Sequence, residues 1–151
     1  MRLAAPEDVP LLLELMAEFY AESGFLLNRD RAQGAFSALL SDARLGHVWV
    51  IESDSRDVGY VAVTYVFSLE FGGLMGWLED FFIQSSFRAA GIGTDALRQV
   101  RAYCVEHGIR ALSVEVGSDN VIAQSVYRRI GMLETGRRLM TVRLADPTHD
   151  L

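Results

Sequence analysis

The segment from residue 85 to residue 100 reads SSFRAAGIGTDALRQV, and it joins two closely spaced glycines to the start of a helical pattern. Arg88 comes three residues before Gly91, and Gly93 follows after one intervening residue. Backbone N–H groups at the N-terminus of a helix attract anions, and glycine lets a phosphate approach the backbone closely. These residue types in this spacing therefore predict a loop that binds an anionic ligand.

Two other glycine motifs and a purely structural explanation compete with this prediction. GIGTDA fits the dinucleotide-binding pattern G-x-G-x-x-A, and Glu115 follows about twenty residues later. That pattern turns tightly out of its strand, whereas QSSFRAA separates FFI from Gly91 here, so we rank it second. A P-loop needs a lysine, and the chain contains none. Glycines that merely begin a helix are the structural alternative.

Two adjacent acids, Glu79 and Asp80, interrupt the otherwise apolar strand pattern GWLEDFFI. Neighbouring residues of a regular strand point to opposite faces of the sheet, so we expect at least one of the two carboxylates to face inward. A buried, unpaired carboxylate costs several kcal/mol or shifts its pKa by up to about 3–5 units. Such a residue is typical of a functional site or of an ion pair with an arginine, and both interpretations stay open. Glu70, in the loop before this strand, either lines the same site or is an ordinary loop acid.

A second group of candidates lies in the segment VEVGSDNVIAQSVYRRIGM. Tyr127 shares an apolar helix face with Ala123, Val126 and Ile130, and that spacing by itself favours a core tyrosine. Asn120 directly precedes the helix, where an asparagine either caps the free N–H groups of the first turn or binds a ligand. Both interpretations of Asn120 remain open.

The elements that must position these residues follow from apolar periodicity and turn residues. Spacings of three and four predict helices from Asp8 to about Ala21, from Arg29 to Leu40, from Gly91 to His107 and around Val126. Runs of β-branched and aromatic residues predict the strands RLA, HVWVIE, VGYVAVTYVFSLE, LMGWLEDFFI, RALSVEV and RRLMTVRL. Short turns indicate an antiparallel meander, and the crossover helix makes the strands on either side of it a parallel pair. The sequence thus predicts one α/β or α+β domain over residues 1–151.

The two segments together resemble the GNAT superfamily of N-acetyltransferases. R-x-x-G-x-G, from Arg88 to Gly93, is similar to the family's coenzyme A signature, and Asn120, Tyr127 and Gly131 are spaced as in its second motif. The order of helices and strands matches over nearly the whole chain. The resemblance implies a central mixed, mostly antiparallel sheet with splayed parallel fourth and fifth strands, flanked by about four helices. Ala89 stands where the family often has glycine, and a methyl group is tolerable there if the backbone stays right-handed.

The resemblance also implies an acetyl-CoA site. Loop amides would hold the pyrophosphate, and the edge of the fourth strand would bind the pantetheine arm, with the amide of Phe82 near the thioester oxygen. The cosubstrate-binding residues implied in this way are Phe81, Phe82, Ile83, Arg88, Ala89, Ala90, Gly91, Ile92, Gly93, Thr94 and Asn120. Tyr127 would be the general acid for the departing thiolate, because the pKa values of a thiol and a phenol, about 8.5 and 10, are close.

The acceptor is suggested by LEDFF, which is particularly similar to the spermidine/spermine and diamine N-acetyltransferases, where acids here face the amine. The resemblance implies direct acetyl transfer to a primary amine of a small molecule such as a polyamine or diamine. Glu79 would act as base or bind the amine, and Asp80 and Glu70 would help to bind it. A coenzyme-A-binding module without turnover, and a protein N-terminal or lysine acetyltransferase, remain alternatives; a dinucleotide-binding protein is less favoured.

Composition disfavours several other classes of protein. The formal net charge is −6, which argues against nucleic acid as a partner and is compatible with cationic small molecules. No stretch reaches the roughly 18 apolar residues of a membrane span, and acids among the first leucines argue against a signal peptide, so we expect a cytoplasmic protein that does not bind membranes. The lone Cys104 allows no internal disulfide, and the three histidines lack metal-binding spacing, so we expect no metal site. The resemblance implies a homodimer.

Overall fold

The computed structural model describes residues 1–142 and 144, which build one five-stranded mixed sheet with helices on both faces. The strands lie in the order β1-β2-β3-β4-β5; all neighbouring pairs are antiparallel except β4 and β5, which are parallel. This confirms the predicted mixed sheet with a parallel pair, and it differs from the doubly wound parallel sheet of a dinucleotide-binding domain. In the described part of the chain, no helix combines the length and the apolar character that crossing a membrane requires.

The bounds of the elements agree with the predicted ones to within a few residues, except near the end of the chain. The strands are β1 (Arg2–Leu3), β2 (Gly46–Ser53), β3 (Arg56–Ser68), β4 (Gly73–Ile83) and β5 (Leu112–Val114). The helices are α1 (Val9–Ser23), α2 (Arg29–Ser41), α3 (Ile92–Glu106) and α4 (Val121–Arg129). Single 3-10 turns are found at Pro6–Asp8 and Ser85–Phe87.

The sheet separates two hydrophobic cores because its strands alternate between them. In β2, Val48 and Val50 pack against α1 and α2, whereas Trp49 and Ile51 pack against α3 and α4. Leu97 of α3 is fully buried in the second core. Each apolar side chain of this size that is removed from water contributes about 1.5–3 kcal/mol, so both cores hold the helices firmly on the sheet.

The parallel pair β4–β5 is short, and this opens a cleft. β5 pairs with β4 only at three positions, from Gly76↔Leu112 to Leu78↔Val114. From Glu79 to Ile83 the edge of β4 that faces β5 has no strand beside it among the described residues. We call this opening the β4–β5 cleft. It is the splayed arrangement that the resemblance implied.

A β-bulge lies in β4 at the mouth of this cleft. Ala62 of β3 pairs with Asp80, but the next residue, Val63, pairs with Leu78, so Glu79 has no opposite residue. An extra residue of this kind bends its strand, increases the local twist and changes the direction of the side chains next to it. The bulge therefore breaks the strict alternation that the sequence suggested for GWLEDFFI.

The predicted last strand, RRLMTVRL, is wrong for the residues that the structure describes. Residues 137–142 and 144 belong to no strand, and Arg143 lies outside the described residues. Alternation predicts a strand, but a strand forms only where its backbone groups pair with a neighbour. The described part of this segment pairs with none, and its apolar residues Leu139, Met140 and Val142 are exposed.

Candidate functional site

The loop that precedes α3 presents a row of free backbone amides. Gly91 is the N-cap of α3 with a φ of +81°, a left-handed conformation that glycine adopts without strain. The first amide of the helix with an acceptor is that of Asp95, which donates to the carbonyl of Gly91. Within the described chain, the amides of residues 89–94 have no acceptor. Six free donors at a helix N-terminus form a site for an anionic group.

The backbone of Ala89 is not right-handed. Its φ is +65°, which is left-handed, so the condition under which a methyl group is tolerable here is not met. For a residue with a Cβ atom this conformation costs about 1–2 kcal/mol. Ala89 itself is exposed. The loop therefore keeps the left-handed geometry that a glycine would adopt without strain.

Gly93 brings the N-terminus of α3 against the end of β4. A Cβ atom at this position would lie 3.1 Å from Cζ of Phe81 and 3.2 Å from Cδ1 of Ile83. Both distances are shorter than ordinary van der Waals contact, so a larger residue would push the helix away from the strand. The free amides of the loop are consequently held beside the unpaired part of β4.

Arg88 is directed away from the free amides. Its Nε donates to the carbonyl oxygen of Ile83 at 2.7 Å, and its Nη2 donates to Oε2 of Glu22 in α1 at 2.6 Å. The guanidinium group also lies over the ring of Phe82, 5.4 Å from its centroid. In this arrangement the side chain ties the end of β4 to α1. The predicted loop amides included that of Arg88, but this amide donates to the carbonyl oxygen of Ser85 at 3.3 Å and is not free.

The three residues predicted to line the cosubstrate arm alternate between the two cores. Phe81 and Ile83 face α3 and α4, while Phe82 faces α1 and is 3% exposed. Phe82 stacks on Phe19 with ring centroids 5.5 Å apart. Their side chains therefore serve packing, and their backbone forms the edge of the β4–β5 cleft.

Tyr127 of α4 packs close to Phe81 of β4. It is 9% exposed, and its ring centroid is 6.3 Å from that of Phe81. Burial raises the pKa of the Tyr127 hydroxyl to about 12, so the phenol stays protonated at neutral pH. The hydroxyl has no hydrogen-bond partner among the described residues, although a buried hydroxyl normally has one. The side chain thus belongs to the core, as its helical spacing predicted, and it also carries an unpaired donor.

Asn120 caps α4 in this structure. Its side-chain oxygen accepts a hydrogen bond from the amide of Ala123 at 3.1 Å. An asparagine cap of this kind typically stabilises a helix by about 1 kcal/mol. The capping interpretation therefore has a contact to support it, and Asn120 also fixes the helix that carries Tyr127.

The two acids of β4 lie on the same face of the sheet, which corrects the expectation that they point to opposite faces. The hydroxyl of Thr64 donates to Oε1 of Glu79 at 2.7 Å, and the hydroxyl of Tyr60 donates to Oδ2 of Asp80 at 2.8 Å. Tyr60 and Thr64 are four residues apart in β3 and therefore share a face, the one covered by α1 and α2. The bulge at Glu79 is the physical reason, because it adds one residue between the two ladder positions.

The surroundings of the two acids differ. Glu79 is exposed, whereas Asp80 is partly buried. Burial raises the pKa of the Asp80 carboxyl, the hydrogen bond from Tyr60 opposes that rise, and the negative charge of Glu79 adds to it. The partner of Asp80 is Tyr60 and not an arginine, so the ion-pair interpretation does not hold in the described chain. Tyr20 of α1 lies close enough for both carboxylates to raise the pKa of its hydroxyl, after the larger effect of burial.

Glu70 is not brought to this pair of acids. It lies in the hairpin loop between β3 and β4 and forms two hydrogen bonds with Arg137, at 2.7 and 3.0 Å. Six residues of β4 separate the start of the strand from Glu79, which corresponds to roughly 20 Å along an extended chain. The structure thus groups Glu79 and Asp80 and leaves Glu70 apart.

Sequence reasoning missed the residues of β3 and α1 that surround the acids. Tyr60 and Thr64 hydrogen-bond to them, and Tyr20 approaches them from α1. The available signal was the spacing of Tyr60 and Thr64 in the apolar run GYVAVTY. Residues four positions apart share one face of a strand. That signal does not identify the partner strand or its register, so the pairing with the acids could not be predicted.

Two surface cavities of about 390 and 350 Å³ lie away from this site. The first is lined by His47, Tyr65 and Tyr103, among other residues, and the second by Met1 and Trp49. Neither cavity is lined by the free amides or by the two acids of β4. The described residues contain no group of three or more histidines, cysteines or acids arranged to hold a metal ion.

Comparison with known families agrees with this arrangement. The Acetyltransferase (GNAT) family matches residues 11–132, which include both acids, the free amides and Tyr127. An aminoglycoside N(6')-acetyltransferase type 1 of Stenotrophomonas maltophilia is 28% identical over 102 residues. That alignment covers 65% of this chain and 66% of the relative, just under two thirds of its length.

Solved structures show the same fold. An integron cassette protein from the mobile metagenome of Cole Harbour Salt Marsh is 44% identical, with a TM-score of 0.88 over 97% of this chain and 91% of its own. A predicted acetyltransferase of Clostridium acetobutylicum, solved with acetyl-CoA, has a TM-score of 0.79 at 18% identity. It covers 93% of this chain and 94% of its own, and at that identity the likeness concerns the fold alone.

Proposed function

The chain belongs to the Acetyltransferase (GNAT) family, and from that premise we propose that it transfers the acetyl group of acetyl-CoA directly to a primary amine of a small molecule. The observation that carries the proposal is the row of free amides at residues 89–94, held beside an unpaired strand edge by the close approach of Gly93 to Phe81. A pyrophosphate fits such donors because they combine hydrogen bonds with the positive end of a helix dipole.

The residues of the β4–β5 cleft have distinct tasks in this reaction. When bound, acetyl-CoA supplies the activated acetyl group. The amides of residues 89–94 fix the pyrophosphate, and the free edge of β4 from Phe81 to Ile83 offers backbone hydrogen bonds to the pantetheine arm. Holding both reactants side by side supplies much of the rate, because a reaction between two molecules becomes effectively intramolecular.

Tyr127 is the general acid of the proposed mechanism. Its phenol is protonated at neutral pH, because burial raises its pKa to about 12, and its hydroxyl has no competing partner in the described chain. It projects from α4 toward Phe81 of β4. A donor at this position is suited to protonate the sulfur that leaves the acetyl group.

The acceptor that we propose is a small cationic amine. Glu79 and Asp80 place two carboxylates on one face, and Glu18 and Glu22 of α1 add acids at the end of β4, where they contact Gln84 and Arg88. The similarity of LEDFF to polyamine acetyltransferases favours a polyamine or diamine, and the curated relative is named for aminoglycosides, which also carry several amino groups. Multiple positive charges are the property common to both classes.

A thiol-release assay with acetyl-CoA tests the proposal. The panel should contain polyamines, aminoglycosides, amino acid amides, and peptides with a free N-terminus or lysine. We expect release that depends on a small polycationic amine. Turnover confined to peptides would instead favour protein acetylation, and coenzyme A binding without release for any amine would favour a binding module. The two alternatives are thus separated in one experiment.

A homodimer is a further part of the proposal. The end of the β3–β4 hairpin exposes several large apolar side chains, among them Phe67 at 67% and Leu69 at 91%. Exposed apolar clusters of this kind are typical of interaction surfaces. Light scattering coupled to size-exclusion chromatography will give the oligomeric state, and a monomer at working concentration contradicts this part.

A further inference from the structure

We infer that Tyr60 is a positioning residue that holds Asp80 as the proton acceptor for the amine, while Glu79 binds the charge of the acceptor. The inference rests on the proposed acetyltransferase function and deepens it. It assigns different tasks to two adjacent acids, and the assignment comes from their surroundings in the fold.

Glu79 has the properties of a binding residue. The bulge leaves it without an opposite residue in β3, and its side chain is exposed. Among the described residues its hydrogen bond is the one from the Thr64 hydroxyl, which donates to Oε1 at 2.7 Å and leaves Oε2 without a partner there. An exposed carboxylate of this kind attracts a cation.

Asp80 has the properties of a proton acceptor held in one orientation. The hydroxyl of Tyr60 donates to Oδ2 of Asp80 at 2.8 Å, and Tyr60 is fully buried. Phe36 of α2 packs edge-on against the Tyr60 ring, with centroids 6.0 Å apart, and this contact helps to hold the phenol in place. Oδ1 of Asp80 has no partner among the described residues and is the free acceptor.

The charges around Asp80 adjust its basicity. Burial and the charge of Glu79 raise the pKa of the Asp80 carboxyl, and the Tyr60 hydrogen bond lowers it. In the described chain the titratable groups that act on one another here are Glu79 of β4, Tyr60 of β3 and Tyr20 of α1. A carboxylate with a raised pKa is a better general base near neutral pH than an ordinary solvated one.

The protons and electron pairs balance in this scheme. Oδ1 of Asp80, directly or through a water molecule, takes one proton from the ammonium group, and the lone pair of the neutral amine forms the C–N bond at the thioester carbonyl. The C–S bond breaks with its electron pair on sulfur, which Tyr127 protonates. The nitrogen then loses a second proton, which returns to the Tyr127 phenolate, and Asp80 releases its proton to solvent. The products are the acetamide, free coenzyme A and one proton.

The test uses opposite shifts of the pH dependence of kcat/KM. Tyr60→Phe removes the hydrogen bond that stabilises the Asp80 carboxylate, so the acidic limb should move up by about one pH unit. Glu79→Gln removes the like charge, so the same limb should move down while KM for the amine rises. Asp80→Asn should remove the limb and reduce kcat/KM by about 10²–10⁴-fold. Tyr65→Phe is the matched control, since the Tyr65 hydroxyl bonds to His47 instead, and it should leave the limb in place.

A carboxyl ¹³C NMR titration of the same variants separates the possible failures. We expect the Asp80 titration midpoint to move with the kinetic limb. A midpoint that moves while the limb stays fixed overturns the inference and leaves the acetyltransferase function intact. If Tyr60→Phe shifts neither the acidic limb of kcat/KM nor the Asp80 titration midpoint, the inference is also overturned. Wild-type protein that releases no thiol with any amine of the panel overturns the proposed function itself.

Discussion

Glu79 and Asp80 are neighbours in β4, and their carboxylates lie on the same face of the sheet, where Thr64 donates to the first at 2.7 Å and Tyr60 to the second at 2.8 Å. A regular strand would place them on opposite faces. The bulge at Glu79 thus creates a doubly acidic surface opposite α1. Two like charges in one site repel each other, and a cation that binds between them relieves this repulsion.

The first prediction concerns the free amides of residues 89–94. Ala90→Asp adds a negative charge at an exposed position of this loop, next to the proposed pyrophosphate site. We expect acetyl-CoA affinity, measured by calorimetry, to fall by about tenfold or more, equivalent to about 1.4 kcal/mol or more. Ala90→Asn has nearly the same shape without the charge and is the control. Equal affinities of the two variants, with circular dichroism showing both folded, contradict an anion site here.

The second prediction concerns the strained backbone at Ala89, whose φ is +65°. Ala89→Gly removes about 1–2 kcal/mol of strain from the folded state. It also gives the unfolded chain more backbone freedom, which lowers stability by about 0.5–1 kcal/mol. We therefore expect the free energy of unfolding to rise by about 0.5–1 kcal/mol in urea denaturation. Ala90→Gly, at a neighbour that is not left-handed, should lower it instead. A destabilised Ala89→Gly variant would show that the loop is not strained.

The third prediction concerns Tyr127. Tyr127→Phe keeps the ring against Phe81 and removes only the hydroxyl, so folding and acetyl-CoA affinity should stay nearly the same. General acid catalysis is typically worth about 10²–10⁴-fold, and kcat should fall by that factor in steady-state kinetics. Turnover within about twofold of wild type would mean that the tyrosine serves packing alone, or that the thiolate leaves unprotonated.

The fourth prediction concerns stability and pH. Because burial raises the pKa of Asp80 in the folded protein, the folded state binds the proton more tightly than the unfolded state does. Stability should therefore fall as the pH rises from the ordinary carboxyl value of 3.8 through the raised value. Asp80→Asn has no carboxyl group to titrate, so its free energy of unfolding should rise relative to that of wild type across this pH window. Above the window the difference between the two free energies should stay constant. Denaturant titrations at several pH values measure it; a difference that is independent of pH contradicts the prediction.

The fifth prediction concerns the acceptor. Glu79→Gln retains the hydrogen bond from Thr64 but removes one negative charge from the proposed cation site. KM for spermidine or putrescine should rise by about tenfold, and KM for an amino acid amide, which has one amino group and no second charge, should change much less. Asp57→Asn is a suitable control, since this acid lies near the β2–β3 turn and pairs with Arg2. Equal effects on acceptors with and without a second positive charge would contradict a role of Glu79 in binding that charge.

The sequence by itself determined most of the architecture. Alternation in HVWVIE and the helical spacing after Gly91 are local properties, because the period of the apolar residues reflects one strand or one helix at a time. The glycine loop could be placed for the same reason, since a helix N-terminus with glycines needs no distant partner to expose its amides. The same local signal failed at RRLMTVRL, where alternation is present and no partner strand lies beside its described residues.

Tertiary structure alone decided the arrangement of the site. The bulge at Glu79 depends on how β3 and β4 align, and so the common face of Glu79 and Asp80 could not be read from a pattern of period two. The Tyr60–Asp80 hydrogen bond joins residues 20 positions apart, and the separation of Glu70 from the two acids follows from the length of β4. Side-chain contacts between strands are set by register and packing, which one-dimensional periodicity does not contain.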